Sequence, residues 1–277
     1  MTGRREVLVV VGIGAMGVAV AHRCGSGARV LLADFSDAAL DAAAATLSDQ
    51  GHDITTHRTD VADRGSVDAL VAAANTLGAV RGVVHTAGVS PVQASSERVV
   101  AVDLLGAEHM LDAFAGAVAS GGAGVVIASM AGHLRGPLSS EDEQALAGAS
   151  SADLPALPCV KSAMSADPGL AYAFAKRAVM IRVAAASVAW GRRGARINSI
   201  SPGVIATPMG HAELAGPSGA FMRGMVDASG TARLGTPDDI ATAAEFLLSP
   251  QASFITGIDL LVDGGAVAAV RTGRLTI

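Results

Sequence analysis

The apolar run Val7-Leu8-Val9-Val10-Val11 ends at Gly12-x-Gly14-x-x-Gly17, and a helix-favouring stretch follows at once. Three glycines at this spacing, between a strand and a helix, constrain the fold more than anything else in the sequence. Gly12 permits a tight turn, Gly14 leaves its backbone open to close approach, and Gly17 lets the helix pack hard against the strand. The free N–H groups at the start of such a helix attract an anion, above all a phosphate. A lone GxGxxG is a weak signal, but this one lies in the strand–turn–helix setting that gives it meaning.

The rest of the chain repeats the alternation. Short apolar runs predict strands over Glu6–Val11, Ala28–Ala33, Asp53–Arg58, Gly82–His85, Gly124–Ala128, Ala195–Ile200 and Gly257–Val262. Ala-rich stretches between them predict helices over Gly14–Arg23, Asp37–Ser48, Arg64–Leu77, Arg98–Ala119, Leu170–Trp190 and Pro237–Leu248. Continuous apolar strands alternating with helices imply a parallel sheet covered on both faces. Right-handed crossovers then give a doubly wound α/β sheet, a Rossmann fold of about seven strands. No repeat or linker divides it, so residues 1–277 are expected to form one domain. Two stretches break the rhythm. Residues 133–168 are polar and rich in Pro and Ser, with Ser140 and Glu143 spaced to cap a short helix over Glu141–Ala147. Residues 207–235 carry Met209, Leu214, Phe221, Met222 and Met225 among glycines and read as a lid.

Composition narrows the function. The chain is 51% hydrophobic and 16% charged with a net charge of −5, which supports a large core and argues against a nucleic-acid binder. No run reaches the length of a membrane span, and the first residues lack a cleavage signal. Cys24 and Cys159 have neither a redox nor a metal spacing, which fits a reducing cytoplasm. The histidines share no ligand spacing, so no metal site is expected.

Two carboxylates stand where a dinucleotide needs them. Asp34 ends the second strand, twenty residues past Gly14, where it can accept both ribose hydroxyls and repel a 2′-phosphate. Phe35 follows it, and the glycine turn holds no Lys or Arg, which favours NAD(H) over NADP(H). Asp60 ends the third strand, where it can meet the adenine amino group with Val61 against the ring. Helix capping is the competing role for both acids.

Tyr172 is the only tyrosine, and Lys176, one of two lysines, lies four residues on. On a helix the two share a face. A phenol with a pKa of about 10 is a poor base at neutral pH, and a neighbouring ammonium favours its ionised form. Such a pair can give or take a proton as a hydride moves.

These residues, with HTAGVS at 85–90, VVIASMAG at 125–132, YAFAK at 172–176, INSISPGVIATP at 197–208, RLGTPDDI at 233–240 and FITGIDLLVDGG at 254–265, resemble the short-chain dehydrogenase/reductase family over nearly the whole chain. The resemblance implies that Ser129 orients the substrate oxygen, Tyr172 is the acid/base, and Lys176 holds the nicotinamide ribose and lowers the tyrosine pKa. It places Met16, Ala87, Gly88, Pro202, Gly203, Ile205 and Thr207 along the cofactor. Asp103 stands where the family has an asparagine of a proton relay; it either joins that relay or kinks its helix. The GxGxxG turn is tighter than the family's usual one, and Ser129 and Tyr172 lie unusually far apart, which reads as an insertion over about 133–168.

The implied activity is NAD(H)-dependent interconversion of a secondary alcohol and a ketone. Leu154, Leu157, Val160 and Met164 of the insertion, with the apolar residues of 207–235, are expected to close over the nicotinamide, and His133, Met209 and Phe221 to touch the substrate. That points to a hydrophobic, alicyclic or steroid-sized small molecule. A double-bond reductase or dehydratase on the same scaffold, and a non-catalytic dinucleotide sensor, are the competing readings. The resemblance further implies a homotetramer or homodimer.

Overall fold

A computed structural model describes residues 5–275. Seven strands form one sheet: β1 (Glu6–Val11), β2 (Arg29–Asp34), β3 (Asp53–Arg58), β4 (Ala79–His85), β5 (Val118–Ile127), β6 (Arg196–Pro202) and β7 (Asp259–Val262). Their order is β3-β2-β1-β4-β5-β6-β7, and every pairing is parallel. Parallel strands need crossovers, and helices supply them: α1 (Ala15–Cys24), α2 (Asp37–Asp49), α3 (Arg64–Leu77), α4 (Ser96–Val99), α5 (Ala107–Ala115), α6 (Ala131–Leu134), α7 (Ser140–Gly148), α8 (Pro158–Met164), α9 (Pro168–Arg192), α10 (Pro208–Ala215), α11 (Gly219–Ala228), α12 (Pro237–Leu248) and α13 (Ala266–Arg271). No described helix is long and apolar enough to cross a membrane.

The side-chain alternation along β1 divides the core. Val7, Val9 and Val11 face one apolar layer under α3, α5 and α9, while Leu8 and Val10 face the other, under α1, α2 and α12. Strand order reverses between β1 and β4, so the crevice above their carboxyl ends is where a ligand sits in a sheet of this kind.

Several boundaries differ from the sequence pattern. The helix expected over Arg98–Ala119 is three pieces: α4, a π-helical stretch over Val100–Gly106, and α5, with Val118 and Ala119 already in β5. Gly121, at φ 80°, allows β5 to begin early through an irregular start that no strand pattern announces. The cap of α7 is Ser139, not Ser140: its hydroxyl accepts the N–H of Asp142 at 3.0 Å and donates to the Asp142 carboxylate at 2.9 Å. Asp167 caps α9, accepting the Gly169 N–H at 2.8 Å with Pro168 at the first helical position.

From residue 136 to α9 the chain does not fold over the crevice as expected. Leu154 and Val160 are fully buried in the core layer beside α9, and Leu157 and Met164 pack against that layer. The Ser96 hydroxyl donates to the Ala166 carbonyl at 2.6 Å, which fixes the end of this segment to α4. Arg182, on α9, holds its middle. The guanidinium bonds Glu108 through two contacts of 2.7 Å and donates to the carbonyls of Leu146 and Ala149 at 2.6 and 2.8 Å. Both charged residues are buried. A paired buried charge that loses its partner is costly, because the survivor has no water to turn to. Arg182→Met is therefore expected to lower the unfolding free energy by about 3–5 kcal/mol. Urea unfolding reads this as a lower midpoint, and adding Glu108→Leu is expected to restore part of the loss.

Candidate active site

The glycine turn is built as its spacing requires. Gly12 has φ 88°, and a Cβ there would collide with the backbone of Ala87 on the turn after β4. A Cβ on Gly17 would collide with the Gly12 carbonyl oxygen. Around Gly14 there is no protein atom within 4 Å of where a Cβ would stand. Gly14 is also the N-cap of α1 and offers no side chain to its N–H groups. That open cradle at a helix start suits the pyrophosphate of a dinucleotide.

Asp34 serves the turn directly. One carboxylate oxygen accepts the Ile13 N–H at 2.7 Å, the other the Ser36 N–H at 2.9 Å. The cap of α2 is Ser36, so the capping role open to Asp34 from the sequence belongs to its neighbour. Asp60 likewise leaves the cap of α3 to Asp63 and accepts the Ala62 N–H at 3.0 Å. Val61 is buried, packed close to Gly106, and Phe35 is exposed beside Asp34.

Above the sheet's carboxyl end opens a cavity of about 490 Å³. Met16, Gly88, Ser129, Tyr172, Lys176, Pro202, Gly203, Ile205, Thr207, Met209 and Phe221 all line it, so eleven of the residues singled out from sequence converge on one space. Gly12, Gly14, Gly17, Asp34, Phe35, Asp60, Val61 and Ala87 lie outside its lining, along the turn and the ends of β2 and β3. His133 does not line it: its Nε2 meets the Asp259 carboxylate at 2.7 Å, and that same acid accepts from Ser199 and Ser201. The apolar walls come from Val89, Val92, Met130, Leu134, Leu170, Met209, Phe221, Met222 and Met225; of the segment 133–168 only Leu134 and Arg135 reach the cavity.

Lys176 and Asp103 are buried together at the floor. The ammonium lies 3.7 Å from Asp103 Oδ1, donates to the Ile127 carbonyl at 3.3 Å, and stands 5.4 Å from the centre of the Tyr172 ring. Asp103 sits in the π-helical stretch and also accepts the Val89 N–H at 3.0 Å. So the kink and the contact with the lysine are both present. Burial pushes the Asp103 carboxyl up to about 6, against the pull of Lys176 and the Val89 N–H. His85, beneath, is fully buried with neither ring nitrogen hydrogen-bonded among the described residues; burial, then Lys176, lowers it to about 3, so it is neutral.

The phenol departs from expectation. Tyr172 is pushed above the ordinary tyrosine value by burial first and then by the negative charges of Asp103 and Glu213, while its hydrogen bond with Ser129 works the other way. In the protein alone the group is held as a neutral acid. Glu213, on α10, was missed in the sequence because nothing in its surroundings there marks it. Burial raises its carboxyl too, offset in part by Lys176.

Two outcomes follow from this geometry. Gly14→Ala is expected to leave the melting temperature unchanged and weaken dinucleotide binding, whereas Gly17→Ala should lower the melting temperature by several degrees; thermal melts and a fluorescence titration with NADH read both. For Asp103, the folded value of about 6 lies above the ordinary carboxyl value of 3.8, so the folded state holds a proton that the unfolded chain gives up. The stability this contributes is full below pH 3.8 and is lost as pH rises through 6. Relative to Asp103→Asn, the unsubstituted chain is thus expected to lose melting temperature between these values, measured across a pH series.

Known proteins agree with this architecture. Residues 5–141 match the family model described as short chain dehydrogenase, and residues 156–267 the one described as enoyl-(acyl carrier protein) reductase. The chain is 38% identical to the short-chain dehydrogenase/reductase bsc3 of Alternaria brassicicola, over 95% of this chain and 96% of that one. It is 36% identical to a 3-alpha-hydroxysteroid dehydrogenase/carbonyl reductase of Comamonas testosteroni, covering 69% of this chain and 74% of that protein. The crystal structure of a 3-alpha-hydroxysteroid dehydrogenase from Pseudomonas sp. B-0831, complexed with NADH, superposes with a TM-score of 0.77 at 29% identity, over 98% of this chain and all of the other. With its seven-stranded parallel sheet, its glycine turn and relatives matching end to end, the chain belongs to the short-chain dehydrogenase/reductase family of oxidoreductases.

Proposed function

We propose that the chain interconverts a secondary alcohol and a ketone on an apolar, ring-sized substrate, using NAD(H). The observation that carries this reading is the single cavity that has Ser129, Tyr172 and Lys176 at its floor and mostly apolar walls above them. The relatives named for hydroxysteroids support an alicyclic substrate. The cradle around Gly14 and the uncapped start of α1 suit the cofactor's phosphates, and Asp34, with no basic side chain in the turn, suits unphosphorylated ribose. The nearest cation to Phe35, Arg58, is paired with Asp37 at 3.5 Å.

Held by the glycine turn, Asp34 and Lys176, NAD(H) would supply hydride chemistry and, in its oxidised form, a positive charge. The rest falls to side chains. Ser129 and Tyr172 meet the substrate oxygen. A neutral phenol is ready to donate to the oxygen of a ketone as that oxygen gains charge. For oxidation it must first ionise, which Lys176 favours and Asp103 and Glu213 oppose. Lys176 is placed to hold the ribose hydroxyls, with Asp103 positioning it.

Tyr172→Phe is expected to cut ketone reduction by at least about 100-fold, the scale of a lost proton donor, and to leave NADH binding nearly unchanged. The unsubstituted chain should prefer NADH to NADPH by about tenfold or more, the repulsion of one phosphate by Asp34. A ketone panel followed by NADH absorbance measures both. Equal turnover by Tyr172→Phe would overturn the assignment. Consumption of NADH with enones and not with ketones would favour double-bond reduction, the activity in the description of the model matching residues 156–267.

A further inference from the structure

Within the cavity one group that raises the phenol has no substrate or cofactor contact assigned to it above. Glu213 lines it between Met209 and Phe221, on a short helix whose Met209, Gly210 and Glu213 all face the same space. The helix is pinned at both ends. Thr207 caps it through the Gly210 N–H at 3.0 Å, and Arg223 of α11 donates to the Leu214 carbonyl at 2.6 Å. Among the described residues, the carboxylate of Glu213 has no hydrogen bond or salt bridge. The residue is half-buried and opens on the cavity, so its acceptor oxygens are free for a donor on whatever occupies that space.

Its reach locates the missing donor. Glu213 lines the same cavity as Ser129, Tyr172 and Lys176, and its charge raises the phenol. Arg135, the other charged residue on the wall, is stacked over the Phe174 ring at 5.5 Å, with its Nε buried and unpartnered among the described residues. A cationic donor would meet the ammonium of Lys176 at close quarters. An anionic substrate would meet Glu213 itself, since the charges of Lys176 and Asp103 largely offset each other. A neutral hydroxyl satisfies the carboxylate without either penalty.

We propose that Glu213 sets substrate choice by accepting a hydrogen bond from a second hydroxyl near the reacting carbon, so that the substrate is a ring-based diol or hydroxyketone and not a hydroxy acid. This rests on the alcohol dehydrogenase reading of the same site and refines it.

The test compares cyclohexanol, trans-cyclohexane-1,2-diol and 2-hydroxycyclohexanecarboxylate as substrates with NAD, for the unsubstituted chain, Glu213→Leu and Glu213→Gln. The unsubstituted chain should favour the diol over the mono-alcohol in kcat/KM and the hydroxy acid least. Glu213→Leu should lower the diol-to-mono-alcohol ratio by about 10- to 100-fold, the scale of a hydrogen bond to a charged group, while cyclohexanol oxidation itself should not fall, since loss of this carboxylate eases ionisation of Tyr172. Glu213→Gln keeps an acceptor oxygen and should fall between the two. Its near-isosteric side chain also guards against a fold defect in the leucine variant. If cyclohexanol is oxidised in a Tyr172-dependent way but the diol ratio is the same in Glu213→Leu, the role of Glu213 is overturned and the dehydrogenase reading stands. A preference of the unsubstituted chain for the hydroxy acid overturns it as well. If no alcohol is oxidised, the parent reading falls and takes the role of Glu213 with it.

Discussion

A buried ammonium joins the parts of this site. Lys176 belongs to α9, yet its charge is met by Asp103 of the π-helical stretch and by the Ile127 carbonyl at the end of β5. Asp103 in turn holds the Val89 N–H on the loop after β4. One ion pair, with a backbone hydrogen bond at each end, thus ties together the helix that carries Tyr172, the strand that leads to Ser129, and the loop that borders the cavity. Desolvating two charges is expensive; the Val89 N–H and the Ile127 carbonyl recover part of the cost, while Asp103 Oδ2 is left without a partner among the described residues. The widened π turn is where Asp103 sits to make these contacts, and it stands directly against Gly88, where a Cβ would lie 2.6 Å from its carboxylate oxygen.

That pair also shapes the acid/base. A lysine near a tyrosine is commonly taken to lower the phenol's pKa, and the spacing of the two residues invites that view. Here the lysine's charge is shared with Asp103, and a second acid, Glu213, looks in from the opposite wall. Burial and both carboxylates then outweigh the hydrogen bond with Ser129, and the phenol stays protonated. The proton needed to reduce a ketone is therefore already in place, while oxidation depends on charge brought in by the cofactor.

The sheet was legible because β1, β2 and the end of β5 are continuous apolar runs set between Ala-rich stretches, a rhythm that also located the more polar β3 and β6. The glycine turn was legible down to the separate job of each glycine, since the jobs are steric and local. Tyr172 and Lys176 were legible because a helix puts residues four apart on one face. Asp103 and Glu213 were harder. The consequence of an acid at 103 depends on how deeply it is buried, and residue 213 matters only through the direction a short helix gives it, which leaves no pattern among mixed polar and apolar neighbours. His133 shows the same limit: its distance along the chain from Ser129 suggested the substrate, but Asp259, 126 residues away, claims its ring.

The largest misreading concerns where specificity lies. Leu154, Leu157, Val160 and Met164 are apolar in a polar segment, and composition alone does not say whether such residues line a pocket or extend a core. The contacts decide it. Arg182 bonds the carbonyls at the end of α7, Arg177 pairs with Glu143 at 2.7 Å, and Ser96 holds Ala166, so the whole segment is fastened to α9 and α4 from behind. It buttresses the helix that carries Tyr172 and Lys176. Much of the wall facing the reacting centre comes from α10 and α11, which carry Met209, Glu213, Phe221 and Met222, with Leu134 and Arg135 the segment's own contribution. Substitutions there can change what enters the site while the acid/base geometry stays fixed, because the two are held by different parts of the chain.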